Sequence, residues 1–277
     1  MNTKDQVKSA IDALSLANKV IFVHASMRSL GQLEGGASTL LNMLLAQGCT
    51  VIVPSFNYDT LCYPPQDDNY QQNGHRGEWQ FDNIRPFDRN DNRIEVSMGK
   101  FAATVVSHQE RFRTDHPIGS FAGVGPKAEA VLSHQSDIDV YGHYQYCTNA
   151  TDAIVLSVGV TLNSITPIHF AEQISGRQLF RRWARTQARG DVEVCVGSCS
   201  EGFHQLEKTL QPIATSIDVG LGQWTSYPLA ALIQESARAI SVNPTITQCA
   251  PECPRCQDMA AGGLISTVQG KQPDLFQ

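Results

Sequence analysis

No stretch of this 277-residue chain reaches the roughly 18 consecutive apolar residues that a membrane-spanning helix needs. A basic excess is missing too. Lys and Arg number 21 against 27 Asp and Glu, a formal charge of -6, whereas a nucleic-acid binder shows a basic face. The opening residues, Met1-Asn2-Thr3-Lys4-Asp5-Gln6, lack the apolar core of a secretory leader and run into an amphipathic helix expected over 7–17. A cytoplasmic protein without membrane or nucleic-acid partners is therefore expected. No Gly-x-Ser-x-Gly elbow occurs, which removes one serine-hydrolase signature. The glycines at 31–36 have neither the dinucleotide-binding spacing nor the Gly-Lys-Ser/Thr ending of a P-loop. Internal repeats and low-complexity blocks are also absent.

What remains is an ordinary globular composition, 42% hydrophobic and 17% charged, long enough for one sizeable α/β core. Residues 19–25 read as a first strand, 36–45 as a helix and 50–56 as a second strand. Such a unit implies parallel pairing through a right-handed crossover. Residues 57–95 break the rhythm. They hold eight carboxylates, Asp59, Asp67, Asp68, Glu78, Asp82, Asp88, Asp91 and Glu95, against four arginines. The excursion is either a negative rim that draws in a cationic substrate or a solvated loop. Helices are expected over 96–106, 126–134, 203–210 and 229–240, and strands over 152–159 and 192–196. Residues 177–189 carry five arginines beside Phe180 and Trp183, a solvated face or the border of a phosphate-bearing ligand.

The segment 161–172 concentrates chemistry. Thr166, His169 and Glu172 lie three residues apart, which is one helix face, just after a strand whose carboxyl end would deliver the chain to that helix. Thr166 is expected to cap the helix, with Pro167 in its first turn. Glu172 can orient His169 as a general base. The bland alternative is a hydrogen-bonded packing histidine.

Eight cysteines are present. Cys249, Cys253 and Cys256 form a Cys-x₃-Cys-x₂-Cys run, and Cys199 or His204 would supply the fourth ligand of a structural zinc site. Free reduced thiols are the alternative. Cys49, Cys62 and Cys147 are scattered, and without a secretory leader disulfides are not expected.

Four ordered segments carry a family resemblance. His24-Ala25-Ser26-Met27-Arg28-Ser29-Leu30-Gly31 with Gly35-Gly36 at a helix start, Ser97-Met98-Gly99, the run from His116-Pro117 to Gly125, and Ser164-x-Thr166-x-x-His169-x-x-Glu172 resemble motifs of the aminoglycoside 3-N-acetyltransferase family across about residues 20–240. The resemblance implies an α/β fold, a three-layer α/β/α arrangement with a central mixed, largely parallel sheet. It implies one acyltransferase domain over 1–277, with 57–95 an acceptor-side excursion and 245–277 a cysteine-containing C-terminal appendage. Acetyl-CoA would be the cosubstrate and a small amine the acceptor. His169 would be the general base, Glu172 its support, and Thr166 a holder of the thioester oxygen. His24, Ser26, Met27, Arg28, Ser29, Leu30, Gly31, Gly35 and Gly36 would bind coenzyme A, and His116, Ser120 and Asp139 the acceptor.

The departures from the family pattern concern the acceptor. Gly119 stands where many drug-acetylating members carry a second histidine, Asn163 where an acidic residue is common, and His143-Tyr144-Gln145-Tyr146-Cys147 replaces a Ser-Pro-Leu-Gly-type segment. Losing a carboxylate weakens the match to a polycation. The acceptor expectation therefore widens to other amino sugars or sugar nucleotides. A thioester or amide hydrolase and a zinc-stabilised interaction protein on the same scaffold are the rival readings, and a homo-oligomer is compatible with all of them.

Overall fold

In the computed structural model, which describes residues 3–65, 72–150 and 152–260, the long apolar segments form the centre of the fold. The chain begins with α1 (Thr3–Ala13), then β1 (Val20–Ala25), α2 (Gly36–Leu45), β2 (Thr50–Pro54) and the short β3 (Leu61–Cys62). Next come α3 (Gly99–Val106), β4 (Phe112–Arg113), β5 (Phe121–Val124), α4 (Ala128–Leu132), α5 (Gly142–Ala150), β6 (Ala153–Val158) and α6 (Pro167–Ile174). The remainder is β7 (Phe180–Thr186), β8 (Gly190–Val196), α7 (Glu207–Leu210), β9 (Thr215–Val219), β10 (Gly222–Pro228), α8 (Leu229–Val242) and α9 (Pro254–Ala260).

β1 and β6 read Val-Ile-Phe-Val-His-Ala and Ala-Ile-Val-Leu-Ser-Val because both faces of each strand are covered, and such strands need apolar residues throughout. They lie at the middle of a seven-stranded sheet of order β4-β5-β2-β1-β6-β10-β9. β1 runs parallel to β2 and β6, in register from Val20 against Ala153 to Ala25 against Val158. The outer strands add antiparallel on both sides. The parallel part of this mixed sheet is thus its buried centre.

Alternation along the strands separates two cores. Ile21, Val23, Leu156 and Val158 face a cluster built with α1, α2 and α3, whereas Val20, Phe22 and Val155 face one built with α4, α5, α6, α7 and α8. The result is three layers, α/β/α. A second sheet, β3-β7-β8, is antiparallel and covers a small cluster around Ile118, Ala184 and Val194. Among the described residues, no helix is long and apolar enough to cross a membrane.

This topology positions the site. β1 leaves the sheet toward α2 on one face, while β6 leaves toward α6 on the other. Adjacent parallel strands whose connections diverge open a crevice at their carboxyl ends.

Candidate active site

A cleft of about 550 Å³ occupies that crevice. β1 contributes His24, α6 contributes His169 with Thr166 just before it, and the second sheet contributes Phe180, Arg182 and Val196. Tyr58 and Leu61 bring the 57–95 excursion to the same wall.

Pro167 occupies the first turn of α6, where a missing N–H costs nothing. Thr166 does not cap the helix, contrary to expectation. A 3-10 turn at Leu162–Ser164 ends at the extended Ile165 (φ -88°, ψ 91°), the helical angles begin at Thr166 (φ -55°, ψ -35°), and the Thr166 side chain makes no capping bond. Thr166 belongs to the cleft wall instead. The amides of Ile168 and His169 donate to the carbonyls of Ile165 and Thr166 at 3.1 and 2.9 Å.

The expected helix face delivers its pair: His169 Nδ1 lies 2.9 Å from Glu172 Oε2. An ionised carboxylate only accepts, so Nδ1 carries the proton toward it, and in the neutral ring Nε2 keeps its lone pair. Glu172 is 3% exposed, and a charge so buried requires partners. Arg177 Nη1 donates to Oε1 at 2.8 Å and the Thr247 hydroxyl at 2.9 Å, while the Ser198 hydroxyl donates to Oε2 at 3.0 Å. Burial pulls the Arg177 guanidinium below its ordinary value, and Glu172 acts against that. The His169 ring is held edge-on to Phe203 at 4.7 Å. Gly197 passes over it so closely that a β-carbon there would lie 2.9 Å from the ring and 2.4 Å from the Tyr141 hydroxyl.

The loop leaving β1 is tied down by backbone. Ser26 N–H donates to Val158 O at 2.9 Å, Ser29 Oγ to Ser26 O at 2.7 Å, and Leu221 N–H to Ser29 O at 2.9 Å. Met27–Leu30 forms a 3-10 turn, Gly31 follows it, and Gly35 and Gly36 (φ +73° and +55°) start α2. Arg28 is exposed, whereas the Leu30 side chain belongs to the core, so a ligand meets Leu30 only through its backbone. His24 alone of the nine expected cofactor residues lines the cleft directly. Its Nε2 has no hydrogen-bond partner among the described residues, and burial lowers its pKa to about 3, keeping the ring neutral.

His116, Ser120 and Asp139 lie off the cleft wall, and their segments present Ile118, Gly119, Phe121 and Val140 in their place. Both His116 nitrogens are engaged. Nδ1 accepts from Gly119 N–H at 2.8 Å, so Nε2 donates to Cys195 O at 2.9 Å, and burial lowers its pKa to about 4. The Ser120 hydroxyl donates to Ser55 O at 2.7 Å and accepts from the buried Arg113. Asp139 is solvent-exposed.

Of the two readings of 57–95, the negative rim is not formed by its described carboxylates. Asp59 and Asp91 pair with Arg93, Asp88 accepts from Asn90 N–H, and Asp59, Glu78, Asp82, Asp88, Asp91 and Glu95 are all absent from the wall. Asp67 and Asp68 lie outside the described residues. Apart from His24 and His169, the charged or titratable wall residues are Tyr58, Tyr141, Arg182, Arg255 and Glu201. Four of the five clustered arginines pair with carboxylates: Arg177 with Glu172, Arg181 with Glu193, Arg185 with Asp191 and Arg189 with Asp137. Arg182 instead stacks over Trp79 at 5.1 Å and Phe180 at 5.3 Å, and burial lowers its pKa to about 10.

Behind this site Cys199, Cys249, Cys253 and Cys256 converge, all four sulfurs within 4.8 Å of one another. His204 is not in the group, and its Nδ1 sits 3.0 Å from Glu201 O.

Known proteins share this arrangement of elements. The profile of the aminoglycoside 3-N-acetyltransferase family matches residues 22–239. Aminoglycoside N(3)-acetyltransferase III of Salmonella sp is 29% identical over 187 residues, covering 63% of this chain and 62% of the relative. Aminoglycoside N(3)-acetyltransferase IX of Micromonospora chalcea is 24% identical over 188 residues, covering 62% of each chain. The chain thus spans less than two thirds of the length of these curated relatives. Among solved structures, the aminoglycoside acetyltransferase AAC(3)-IVa apoenzyme superposes with a TM-score of 0.72 at 20% identity, covering 94% of this chain and 97% of its own. The Bacillus subtilis YokD protein gives 0.71 at 18% identity, with 87% and 99% covered, and AAC-IIIb, solved as a binary complex with CoASH, gives 0.68 at 18%, with 90% and 98% covered. The structural likenesses establish the fold, and with the profile match over most of its length the chain belongs to the aminoglycoside 3-N-acetyltransferase family.

Proposed function

We propose that this protein is an acyl-CoA-dependent N-acyltransferase that moves an acetyl or similar short acyl group to an amine of an aminoglycoside or other amino sugar. The observation that carries the reading is the His169–Glu172 pair, 2.9 Å apart on the wall of a cleft at the carboxyl ends of β1 and β6. Related proteins whose names and structures include aminoglycosides and CoASH support both substrates.

The chemistry follows from the geometry. His169 Nε2 takes a proton from the acceptor amine as the nitrogen attacks the thioester carbonyl, the C–N bond forms, and the carbonyl becomes a tetrahedral oxyanion. Collapse breaks the C–S bond, and the coenzyme A thiolate leaves and takes up a proton. A positioned base contributes about 10²- to 10⁴-fold. Because the Ile168 and His169 amides are already engaged, the Thr166 hydroxyl is the donor for the oxyanion, worth about 3 kcal/mol when well aimed. The neutral His24 ring, with Nε2 unpartnered, offers a hydrogen bond to the pantetheine arm. Met27–Leu30 and the Gly35-Gly36 helix start hold the phosphate end. The cytoplasm, where coenzyme A thioesters are made, is the natural place for this reaction.

The wall also speaks to the acceptor. Arg182 is half-buried, donates from Nη1 to Arg181 O at 2.8 Å and has no carboxylate partner among the described residues, and Arg255 lies on the same wall. A half-buried charge without a counterion favours a ligand that brings one. We infer an amino sugar bearing a phosphate or carboxylate in preference to a pure polycation.

Thiol release from acetyl-CoA with aminoglycosides, glucosamine and glucosamine 6-phosphate tests the activity. His169→Ala is expected to lower turnover by about 10²- to 10⁴-fold while calorimetry shows unchanged coenzyme A affinity. Unaltered turnover refutes the role of His169, and thiol release at the same rate without any amine makes the protein a hydrolase.

A further inference from the structure

We propose that Cys199, Cys249, Cys253 and Cys256 bind one zinc ion as four thiolates, and that this site clasps the C-terminal segment onto the cradle of the Glu172 carboxylate. A tetrahedral zinc with Zn–S bonds of about 2.3 Å separates its sulfurs by about 3.8 Å. Here Cys199 and Cys249 are 3.8 Å apart and Cys249 and Cys256 3.6 Å, with all four sulfurs inside 4.8 Å. Disulfides would need about 2.05 Å, and all four thiols are free. Cys199 and Cys256 are buried, and the Cys249 amide points at the Cys256 sulfur at 3.4 Å, the kind of donor that supports a metal-bound thiolate. Four protein ligands leave no open position, so the site is structural.

Its position gives it a purpose. Each ligand sits next to a residue of the candidate active site. Ser198, preceding Cys199, donates to Glu172 Oε2, and Thr247, two residues before Cys249, donates to Oε1. Arg255, between Cys253 and Cys256, lines the cleft. Met259, on the same helix as Cys256, is fully buried against Arg177. The loops carrying Ser198 and Thr247 come so close that a β-carbon on Gly202 would lie 2.2 Å from the Thr247 carbonyl oxygen. One ion therefore fixes two loops distant in sequence, and with them two of the hydrogen bonds that hold the partner of His169. Residues 199, 249, 253 and 256 act as positioning residues and touch no substrate.

Metal analysis of untagged, as-purified protein is expected to give one zinc per chain. Replacement by cobalt(II) is expected to give thiolate charge-transfer absorption and the strong red bands of a tetrahedral site. Cys253→Ser/Cys256→Ser should abolish both, and because that variant can misfold, chelation of the wild-type protein serves as the second measurement. Chelated protein is expected to lose at least tenfold in kcat, to keep its coenzyme A affinity, and to show shifted ring-nitrogen resonances for His169. Iron in place of zinc, or a folded as-purified protein with four freely titrating thiols and no metal, overturns the site. Unchanged kcat and His169 resonances after zinc removal overturn the clasp. Metal content, cobalt spectra and ring resonances need no acyl acceptor, so they stand or fall separately from the proposed acyl transfer.

Discussion

Acid should unfold this protein through its buried histidines, and His143 is the cleanest place to show it. Among the described residues neither His143 nitrogen has a hydrogen-bond partner, and its ring packs against Phe121 at 4.3 Å, Tyr144 at 4.1 Å and Phe22 at 5.9 Å. Burial lowers its pKa to about 3, as it does for His24, and that of His116 to about 4, against 6.5 for an unburied imidazole. Depressed folded values mean that the unfolded chain binds more protons between these limits. Stability is therefore complete above pH 6.5 and falls as pH drops toward the folded values. One unit below 6.5 each such histidine costs about 1.4 kcal/mol, so three cost about 4 kcal/mol at pH 5.5 and almost nothing at pH 7.5. That is a large share of the 5–15 kcal/mol typical of folded proteins.

His143→Phe keeps a ring in the aromatic cluster and removes one titrating group. The stability difference between pH 7.5 and 5.5 should shrink from about 4 to about 3 kcal/mol. Urea unfolding followed by the fluorescence of the buried Trp224 measures it. Comparing variant with parent cancels the contributions of carboxylates and thiolates common to both. An identical acid loss in the two proteins would refute the assignment of a depressed, unsatisfied imidazole at this position. Stability at pH 7.5 alone is a weaker test, because the larger phenyl ring adds overpacking while removing two unpaired nitrogens.

Two further outcomes concern the site. Glu172→Gln should lower kcat by about 10²-fold or more and destabilise the fold by about 3–5 kcal/mol by stranding the Arg177 charge. Adding Arg177→Met should recover much of the stability but none of the turnover, and full thiol release in either variant would dismiss Glu172 as the support of His169. Arg182→Met should raise KM for an anionic acceptor on the order of 10- to 100-fold, the loss of a charged hydrogen bond, with kcat little changed. An unchanged KM, or an aminoglycoside polycation emerging as the best acceptor, would refute the anionic-acceptor reading.

The sequence is most transparent where structure is local or continuously apolar. β1, α2 and β6 announce themselves because strands buried on both faces tolerate little else, and His169 meets Glu172 because three residues are one helical turn. The partners of Glu172 have no such signature. Thr247 lies 75 positions away and Ser198 lies 26, and only the fold joins them. The acidic character of 57–95 misleads for a related reason: counting carboxylates cannot show that Arg93 of the same excursion binds two of them. Thr166 misleads as a cap because the change from extended to helical backbone falls at Ile165, one residue earlier, and leaves Thr166 with helical angles of its own. The two-residue strands β3 and β4 are too short for any periodicity to be read.

The arrangement divides the work between parts of the chain with different constraints. The proposed base and the proposed cofactor loop follow the ends of β6 and β1, where register with the buried sheet fixes the chain. The opposite wall comes from the second sheet and the 57–95 excursion, whose small cluster of buried side chains leaves its surface residues free to vary. The Glu172 carboxylate is the most demanding element, since its burial calls for Arg177, Thr247 and Ser198 together. Two of those three donors arrive on loops that no strand of the central sheet holds in place. A crosslink between those loops would keep the carboxylate oriented, and Cys199 and Cys249 of the proposed zinc site belong to them.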